Sequence, residues 1–283
     1  MNRFFVITNE IRDPGGLKAG QISEQLRSMG RICDHVSIER DSDPESEEIR
    51  RIMDLDPDTE AVIVLGGDGT FIQCARLLAP KKIPMIGVNM GHLGYLAEVD
   101  RDMITPALDR LMNDDLTITQ RMLLSGTPVI NGDNKGDLYA VNDIVVKTSG
   151  SSVGTFCIEV NGTYLTTISA DGVIVATPTG STAYNMSAGG PIVEPGSSVI
   201  VITPICPLEA VSRSVVLSAD DTVVIRMVRP SGRPERTAEV YFDGGGDYTL
   251  STDDEVVIRK AAASIRLIKL NKESFLEVLS RKM

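Results

Sequence analysis

Histidine is almost missing from this 283-residue chain, which holds only His35 and His92. A Ser-His-Asp or Cys-His mechanism would need one of them beside a nucleophile motif, and no such motif is present. General-base chemistry therefore falls to a carboxylate. His35 lies in a predicted strand at 31–38 and reads as structural; His92, in a glycine-rich loop, reads as structural or peripheral. Cysteine is sparse as well. Cys33, Cys74, Cys157 and Cys206 form no Cys-x-x-Cys pair and no Cys/His cluster, which argues against zinc. All four read as reduced core thiols of a cytoplasmic protein. Basic charge is in deficit, with 28 Lys and Arg against 39 Asp and Glu and a net charge of -11. That balance argues against a nucleic-acid partner. It leaves nucleotide substrates open, because a metal ion and local dipoles can hold phosphates on an acidic protein.

Other absences narrow the field further. No apolar run approaches the length of a membrane span, so no membrane partner is expected. Residues 1–7 read as a strand, with neither the length nor the cleavage site of a signal peptide. There is no Gly-x-x-x-x-Gly-Lys-Ser/Thr loop and no protein-kinase His-Arg-Asp or Asp-Phe-Gly set. Gly-x-Gly-x-x-Gly after the first strand is also missing, which weakens a hydride-transfer reading.

What is present begins with size. A chain this long at 42% hydrophobic residues can bury a substantial core, in two domains. The first third alternates strands at 4–8, 32–38, 61–65 and 83–88 with helices at 16–29, 47–53, 70–78 and 103–112. Continuous apolar strands in that rhythm predict a parallel sheet covered on both faces. An acidic loop at 39–48 reads as solvated. From residue 116 short alternating strands dominate: 116–124, 138–147, 153–160, 164–168, 173–177, 199–205, 222–228, 238–242, 255–259 and 264–270. Turns such as Asn131-Gly132-Asp133 and Asn161-Gly162 separate them, predicting a β-rich second domain. One short helix at 182–188 interrupts it, and an amphipathic helix at 272–279 ends the chain.

Four stretches carry chemistry. In Leu65-Gly66-Gly67-Asp68-Gly69-Thr70 a buried strand runs into a glycine turn that opens a helix. Glycines admit close backbone approach, and a helix start offers free N–H groups to an anion. Asp68 among such amides would hold a cation or take a proton, which points to nucleotide chemistry; the plainer alternative is an N-capping aspartate. The run Ser169 to Pro191 contains Asp171-Gly172 and Thr177-Pro178-Thr179-Gly180-Ser181-Thr182-Ala183-Tyr184-Asn185-Met186-Ser187. Its hydroxyls and amides can bind a nucleotide, and Tyr184 offers a flat face to a purine; a Ser/Thr-rich capping turn accounts for fewer of these residues. Asn142-Asp143 interrupts the β-like run 140–147, as a strand-edge pair or as a grip on ribose hydroxyls or a metal. Gly87-Val88-Asn89-Met90-Gly91-His92-Leu93-Gly94-Tyr95-Leu96 follows a predicted parallel strand, at the end where ligands collect.

Together these stretches closely resemble the NAD kinase family. The family's Gly-Gly-Asp-Gly-Thr element matches Gly66 to Thr70, its Asn-Glu/Asp pair matches Asn142-Asp143, and its long Thr-Pro-Thr-Gly-Ser-Thr-Ala-Tyr signature matches Thr177 to Ile192. Thr203-Pro204-Ile205-Cys206-Pro207 and the segment Ser274 to Leu279 extend the likeness over most of the chain. The resemblance implies an α/β, Rossmann-like N-terminal parallel-sheet domain at 1–115, to which 271–283 returns. It implies a β-rich NAD-binding domain at 116–270, with the active site in the inter-domain cleft. The implied activity is ATP-dependent phosphorylation of the 2′-hydroxyl of NAD's adenosine ribose, giving NADP. Asp68 would accept the proton, and Mg²⁺ (or another divalent cation) would ride on the ATP phosphates. Gly67, Gly69, Thr70, Asn142, Asp143, Asp171, Thr179, Thr182, Ala183, Tyr184, Asn185 and Ser187 would bind nucleotide. Homodimers or homotetramers are implied. Two departures stand out: the family's His-Ser-Leu-Ser-x-Arg is here Leu208-Glu209-Ala210-Val211-Ser212-Arg213, and its late Asp-Gly-Gln is Asp243-Gly244-Gly245. Two rival classes are weaker. A lipid kinase of the same superfamily would need a membrane-facing basic amphipathic stretch, which is not found; a silent NAD-binding sensor is opposed by the intact Asp68.

Overall fold

The computed structural model describes residues 1–39, 45–91, 94–150, 152–209, 213–232, 235–271 and 274–282. His92, most of the acidic loop, residues 210–212 of the departing segment and the predicted start of the last helix at 272 lie outside the described residues. The chain divides into two compact units, residues 1–121 with 263–283, and residues 122–262.

In the first unit the strands are β1 (Arg3–Asn9), β2 (Ile32–Ile38), β3 (Ala61–Gly66), β4 (Met85–Asn89) and β5 (Ala97–Asp100). They pair in the order β2-β1-β3-β4-β5, and every pair is parallel. Four helices alternate with them: α1 (Leu17–Ser28), α2 (Glu47–Met53), α3 (Asp68–Leu78) and α4 (Ile104–Met112). Every residue of β3 and β4 is buried, as a sheet covered on both faces demands. Ala19, Ile22 and Leu26 of α1 and Ile104, Ala107, Leu108 and Leu111 of α4 form single stripes that pack on Phe4, Val6, Ile63, Leu65, Ile86 and Val88. Ser46 caps α2, its side chain accepting from the Ile49 N–H, with Glu47 and Glu48 in the first turn.

The second unit is built from antiparallel strands. These are β6 (Thr117–Ile130), β7 (Asp133–Asn134), β8 (Leu138–Ala140), β9 (Asp143–Thr148), β10 (Gly154–Val160), β11 (Thr163–Ala170) and β12 (Gly172–Ala176). After α5 (Tyr184–Ser187) come β13 (Val199–Ile205), β14 (Val215–Ser218), β15 (Val223–Met227), β16 (Ala238–Phe242), β17 (Gly245–Leu250) and β18 (Glu255–Lys269). Of these strands, β6 begins and β18 ends in residues of the first unit. One sheet runs β14-β13-β12-β9-β16-β17, and β11, β10, β15 and β18 pair in a second. Alternate residues of both sheets meet in one core: Ile144, Val146, Val173, Val175 and Phe242 from the first, Phe156, Ile158, Ile225 and Val256 from the second. The opposite face of the first sheet buries Val145, Ile174, Ala176 and Val201 as well, which is why these strands read as continuous apolar runs. The chain closes with α6 (Phe275–Lys282), in a segment that belongs to the first unit.

Three hairpin turns share one chemistry. Asn131-Gly132, Asn161-Gly162 and Asp243-Gly244 each place two consecutive residues at positive φ, as a type I′ turn requires. The third joins β16 to β17, a strand that the sequence reading does not expect; β5, β7 and β14 are also absent from it. The two strands expected at 255–259 and 264–270 are one continuous β18. Cys33 and Cys74 are buried in the core, as expected; Cys157 is half-buried, and Cys206 is exposed just after β13 with a φ of 46°. No helix among the described residues is long and apolar enough to cross a membrane.

Phe156 is wholly buried in the sandwich core. Phe156→Ala is expected to lower stability by about 3–5 kcal/mol, read from urea denaturation of the full chain. A loss under about 1 kcal/mol would show that this core is not jointly packed around it.

Candidate active site

In the second unit the run expected as a single strand at 138–147 breaks at Val141-Asn142, and one side chain explains the break. The Asp243 carboxylate accepts the N–H groups of Val141 (2.7 Å), Asn142 (2.7 Å) and Asp143 (3.2 Å). Its own N–H donates to the Asp143 carbonyl at 3.1 Å. The left-handed φ of Asp243 and the Asp-Gly turn that follows bring the carboxylate back onto its neighbouring strand. Pleating then sends Ile144 and Val146 into the core and Asp143, Val145 and Lys147 to the other face.

That face opens into a pocket of about 500 Å³ lined by Asn142, Asp143, Val145, Lys147, Ala183, Tyr184, Tyr241, Asp243 and Gly244. Asp143 is 5% exposed. Burial first, and the Asp243 charge second, push its carboxyl up to about 7. The pocket therefore holds one acid poised near neutrality and one committed to backbone amides.

The glycine- and hydroxyl-rich turn after β12 is seated on the same break. Thr177 Oγ1 donates to the Val141 carbonyl (2.7 Å) and accepts the Gly180 N–H (3.0 Å), and the Thr177 N–H donates to the Asn142 carbonyl (2.8 Å). A Cβ on Gly180 would lie 2.0 Å from that same Asn142 carbonyl oxygen, so only glycine fits. Ser181 is wholly buried, its hydroxyl donating to the Pro178 carbonyl and accepting from the Val193 N–H. Asn185, expected as a nucleotide contact, is also wholly buried. Its amide donates to the carbonyls of Ser181 and Pro191, and its oxygen accepts from Thr203 Oγ1. It is spent on holding the turn. Ala183 and Tyr184 do reach the pocket, with Tyr184 38% exposed, and Ser187 is exposed a turn further on. Thr182 Oγ1 donates to the Thr179 carbonyl at 3.3 Å, while Thr179 Oγ1 is buried with no hydrogen-bond partner among the described residues. Asp171 stands at the other end of β12. Its carbonyl accepts from Thr148, its N–H donates to Ile205, and it is not among the residues that line the pocket.

In the first unit β3 ends at Gly66 and α3 begins at Asp68. Asp68 is the first helical residue and Gly67 the N-cap, with no side-chain cap bond, so the simple capping role does not describe it. Asp68 Oδ2 accepts the Tyr95 N–H at 2.7 Å, and Oδ1 accepts the Leu96 N–H at 3.1 Å. Gly67 and Gly69 are exposed with open space where a Cβ would sit, which leaves the first amides of α3 accessible. Thr70 is held against Gly66, where a Cβ would come within 2.8 Å of its side chain. Sequence reasoning missed Lys147, Tyr241 and the organising role of Asp243. Alternation from Asp143 could have found the first, and the Asp243-Gly244 turn the last.

The first unit thus carries a strand–glycine–aspartate–helix turn on a parallel sheet, and the second carries a pocket of about 500 Å³. The ATP-NAD kinase N-terminal domain model matches residues 18–116, and the ATP-NAD kinase C-terminal domain model matches residues 141–270. The NAD kinase of Lachnospira eligens is 40% identical over 295 residues, covering 100% of both chains. That of Agathobacter rectalis is 37% identical over 286 residues, covering 100% of this chain and 99% of its own. Among solved structures, yeast NADH kinase complexed with NADH superposes with a TM-score of 0.84 at 23% identity, over 99% of this chain and 86% of that one. An NAD kinase from Archaeoglobus fulgidus in complex with ATP gives 0.76 at 22% identity, over 98% of each chain. At those identities the two structures establish the fold. The chain belongs to the NAD kinase family and is a kinase.

The Asp143 carboxyl gives a test of the pocket's electrostatics. Its folded value of about 7 stands above its ordinary 3.8, so the native state keeps a proton that the unfolded chain releases across that window. Its contribution to stability is full at low pH and is lost as pH rises through 7. The melting temperature of the unliganded wild type is expected to fall between pH 5 and pH 8, and Asp143→Asn to flatten that fall. Identical slopes for the two proteins would refute the assignment.

Proposed function

We propose that this chain transfers the terminal phosphoryl group of ATP to the 2′-hydroxyl of the adenosine ribose of NAD, giving NADP, with Asp68 as proton acceptor. Family membership supports the reaction. The yeast enzyme complexed with NADH and the archaeal one complexed with ATP suggest the two ligand classes, a nicotinamide dinucleotide and ATP. The observation that carries the role of Asp68 is its carboxylate, fixed by two backbone amides at the opening of α3. A ribose hydroxyl is a poor acid and an aspartate a weak base. The pairing works because phosphoryl transfer has a loose transition state and the proton can leave late. Catalysis is then positioning and charge neutralisation, with little for the base to do before the bond to phosphorus forms.

The helix start at the exposed Gly67 and Gly69, with Thr70 half-buried beside them, suits phosphate oxygens. Asn142, Asp143, Ala183 and Tyr184 supply the nucleotide grip, the tyrosine ring offering a face to adenine. The hydroxyls of Thr179, Thr182 and Ser187 lie in the same turn, and the buried unpartnered oxygen of Thr179 fits a ligand donor or acceptor. Among the described residues no group of three or more His, Cys, Asp or Glu is arranged to hold an ion. The Mg²⁺ of this proposal would ride on the ATP phosphates and neutralise charge on the transferred group. A cytoplasmic setting, read from the cysteine usage, and a homodimeric or homotetrameric assembly, which rests on the family resemblance, belong to the same proposal.

The test is NADP formation from NAD, ATP and Mg²⁺, coupled to an NADP-specific dehydrogenase. Turnover is expected, and EDTA should abolish it. Asp68→Asn should lower kcat by about 10²–10⁴-fold while calorimetry shows NAD affinity nearly unchanged. Wild-type turnover in that variant would end the proton-acceptor assignment. Tyr184→Ala should weaken NAD binding by about three- to tenfold, the range of a lost aromatic contact. Unchanged affinity would remove Tyr184 from the pocket's recognition surface.

A further inference from the structure

The stretch Gly94 to Leu96, between β4 and β5, closes on the N-terminus of α3. A Cβ built on Gly94 would lie 2.0 Å from Asp68 Oδ1, 2.6 Å from Cγ and 2.8 Å from Oδ2, and these are its three nearest neighbours. The next two residues donate their backbone N–H groups to the same carboxylate. Gly94 is not among the glycines at positive φ, so its backbone conformation would accept an alanine. The carboxylate, and not a turn, is what requires glycine there.

We propose that Gly94 is a positioning residue for phosphoryl transfer, admitting the Asp68 carboxylate to the Tyr95 and Leu96 amides that hold it in the orientation in which it takes the proton. The inference rests on the reading of Asp68 as proton acceptor and goes beyond it. The start of α3 fixes the Cα of Asp68, and two amides, one on each oxygen, fix both side-chain torsions. Each carboxylate oxygen has two lone pairs, so one amide on each still leaves both oxygens able to accept from a hydroxyl. Charge-assisted bonds to backbone groups hold that orientation without recruiting another mobile side chain. A methyl at position 94 would drive the carboxylate out of this seat. Displacing a reacting group by about 1 Å costs on the order of 10²-fold in rate.

The experiment is a substitution series in the full chain. Gly94→Ala is expected to lower kcat about 100-fold or more while the calorimetric Kd values for NAD and for ATP stay within about threefold. A generally damaged fold would move all three. The variant should also melt at a lower temperature than wild type. In an Asp68→Gly background, adding Gly94→Ala should leave the melting temperature unchanged, because the obstructing carboxylate is gone. Gly196→Ala, where a Cβ meets open space, serves as the control with unchanged kcat and melting. Wild-type kcat in Gly94→Ala, or equal melting losses in both backgrounds, overturns the proposal. If Gly94→Ala does not fold, amide hydrogen exchange at Tyr95 and Leu96 decides. Protection lost in Asp68→Ala supports the clamp, and unchanged protection overturns it. The two readings separate cleanly. Full turnover in Asp68→Asn removes the proton acceptor and the positioning role with it; a dead Asp68→Asn beside an active Gly94→Ala removes the positioning role alone.

Discussion

The grip of the Asp243 carboxylate on three successive backbone amides organises the second unit. A buried N–H without a partner is costly, and a strand that breaks in the middle of a sheet exposes several at once. Asp243 satisfies those of Val141, Asn142 and Asp143 together. The freed carbonyls of Val141 and Asn142 then receive Thr177, which seats the hydroxyl-rich turn. Without the break Asn142 would pair in the ladder, Gly180 would have no carbonyl to lie against, and the pocket would lose two of its walls. The cost falls on Asp143, buried beside a second carboxylate and driven toward its neutral form. Strain of this kind concentrates where ligands are handled.

The same device appears in the first unit. A carboxylate at the head of α3 binds amides of a different loop, and a glycine stands where any side chain would block it. In both units an acid does the work that an ordinary ladder or cap would do, and in both it stays within reach of a ligand-sized space or an exposed helix start. Side chains used this way are held by main-chain groups, which are stiffer than other side chains and need no further ordering.

Much of this was legible in the residues. The parallel sheet followed from unbroken apolar strands separated by helical stripes, and β2, α2, β13 and β16 fall where periodicity places them. Asn131-Gly132 and Asn161-Gly162 announced their hairpins. Asp243-Gly244 carries the same signal but sits among three glycines, Gly244 to Gly246, and the strand after it has few apolar residues to mark it. The break at Val141-Asn142 was invisible locally, because its cause lies about a hundred residues away. Asn142, Asp143 and Tyr184 stand out in the sequence by type and spacing, and all three line the pocket. Asn185 was not separable from them, since a polar residue beside others in a glycine-rich run reads as displayed until burial shows otherwise. Asp171 belongs to the same run, yet five strand residues stand between it and Thr177, so proximity in sequence did not become proximity in space.

Asn185 and Ser181 point into the protein, while Thr182, Tyr184 and Ser187 do not, and this alternation divides the turn's labour. The inward pair fastens the segment to β13 and to the stretch around Pro191 and Val193 through its side-chain hydrogen bonds. The outward residues carry none of that fastening. A catalyst built this way can be retuned for a different molecule by exchanging its display side chains, because the clasp beneath them is chemically independent. Recognition and architecture, though written in one uninterrupted stretch of a dozen residues, can change at different rates.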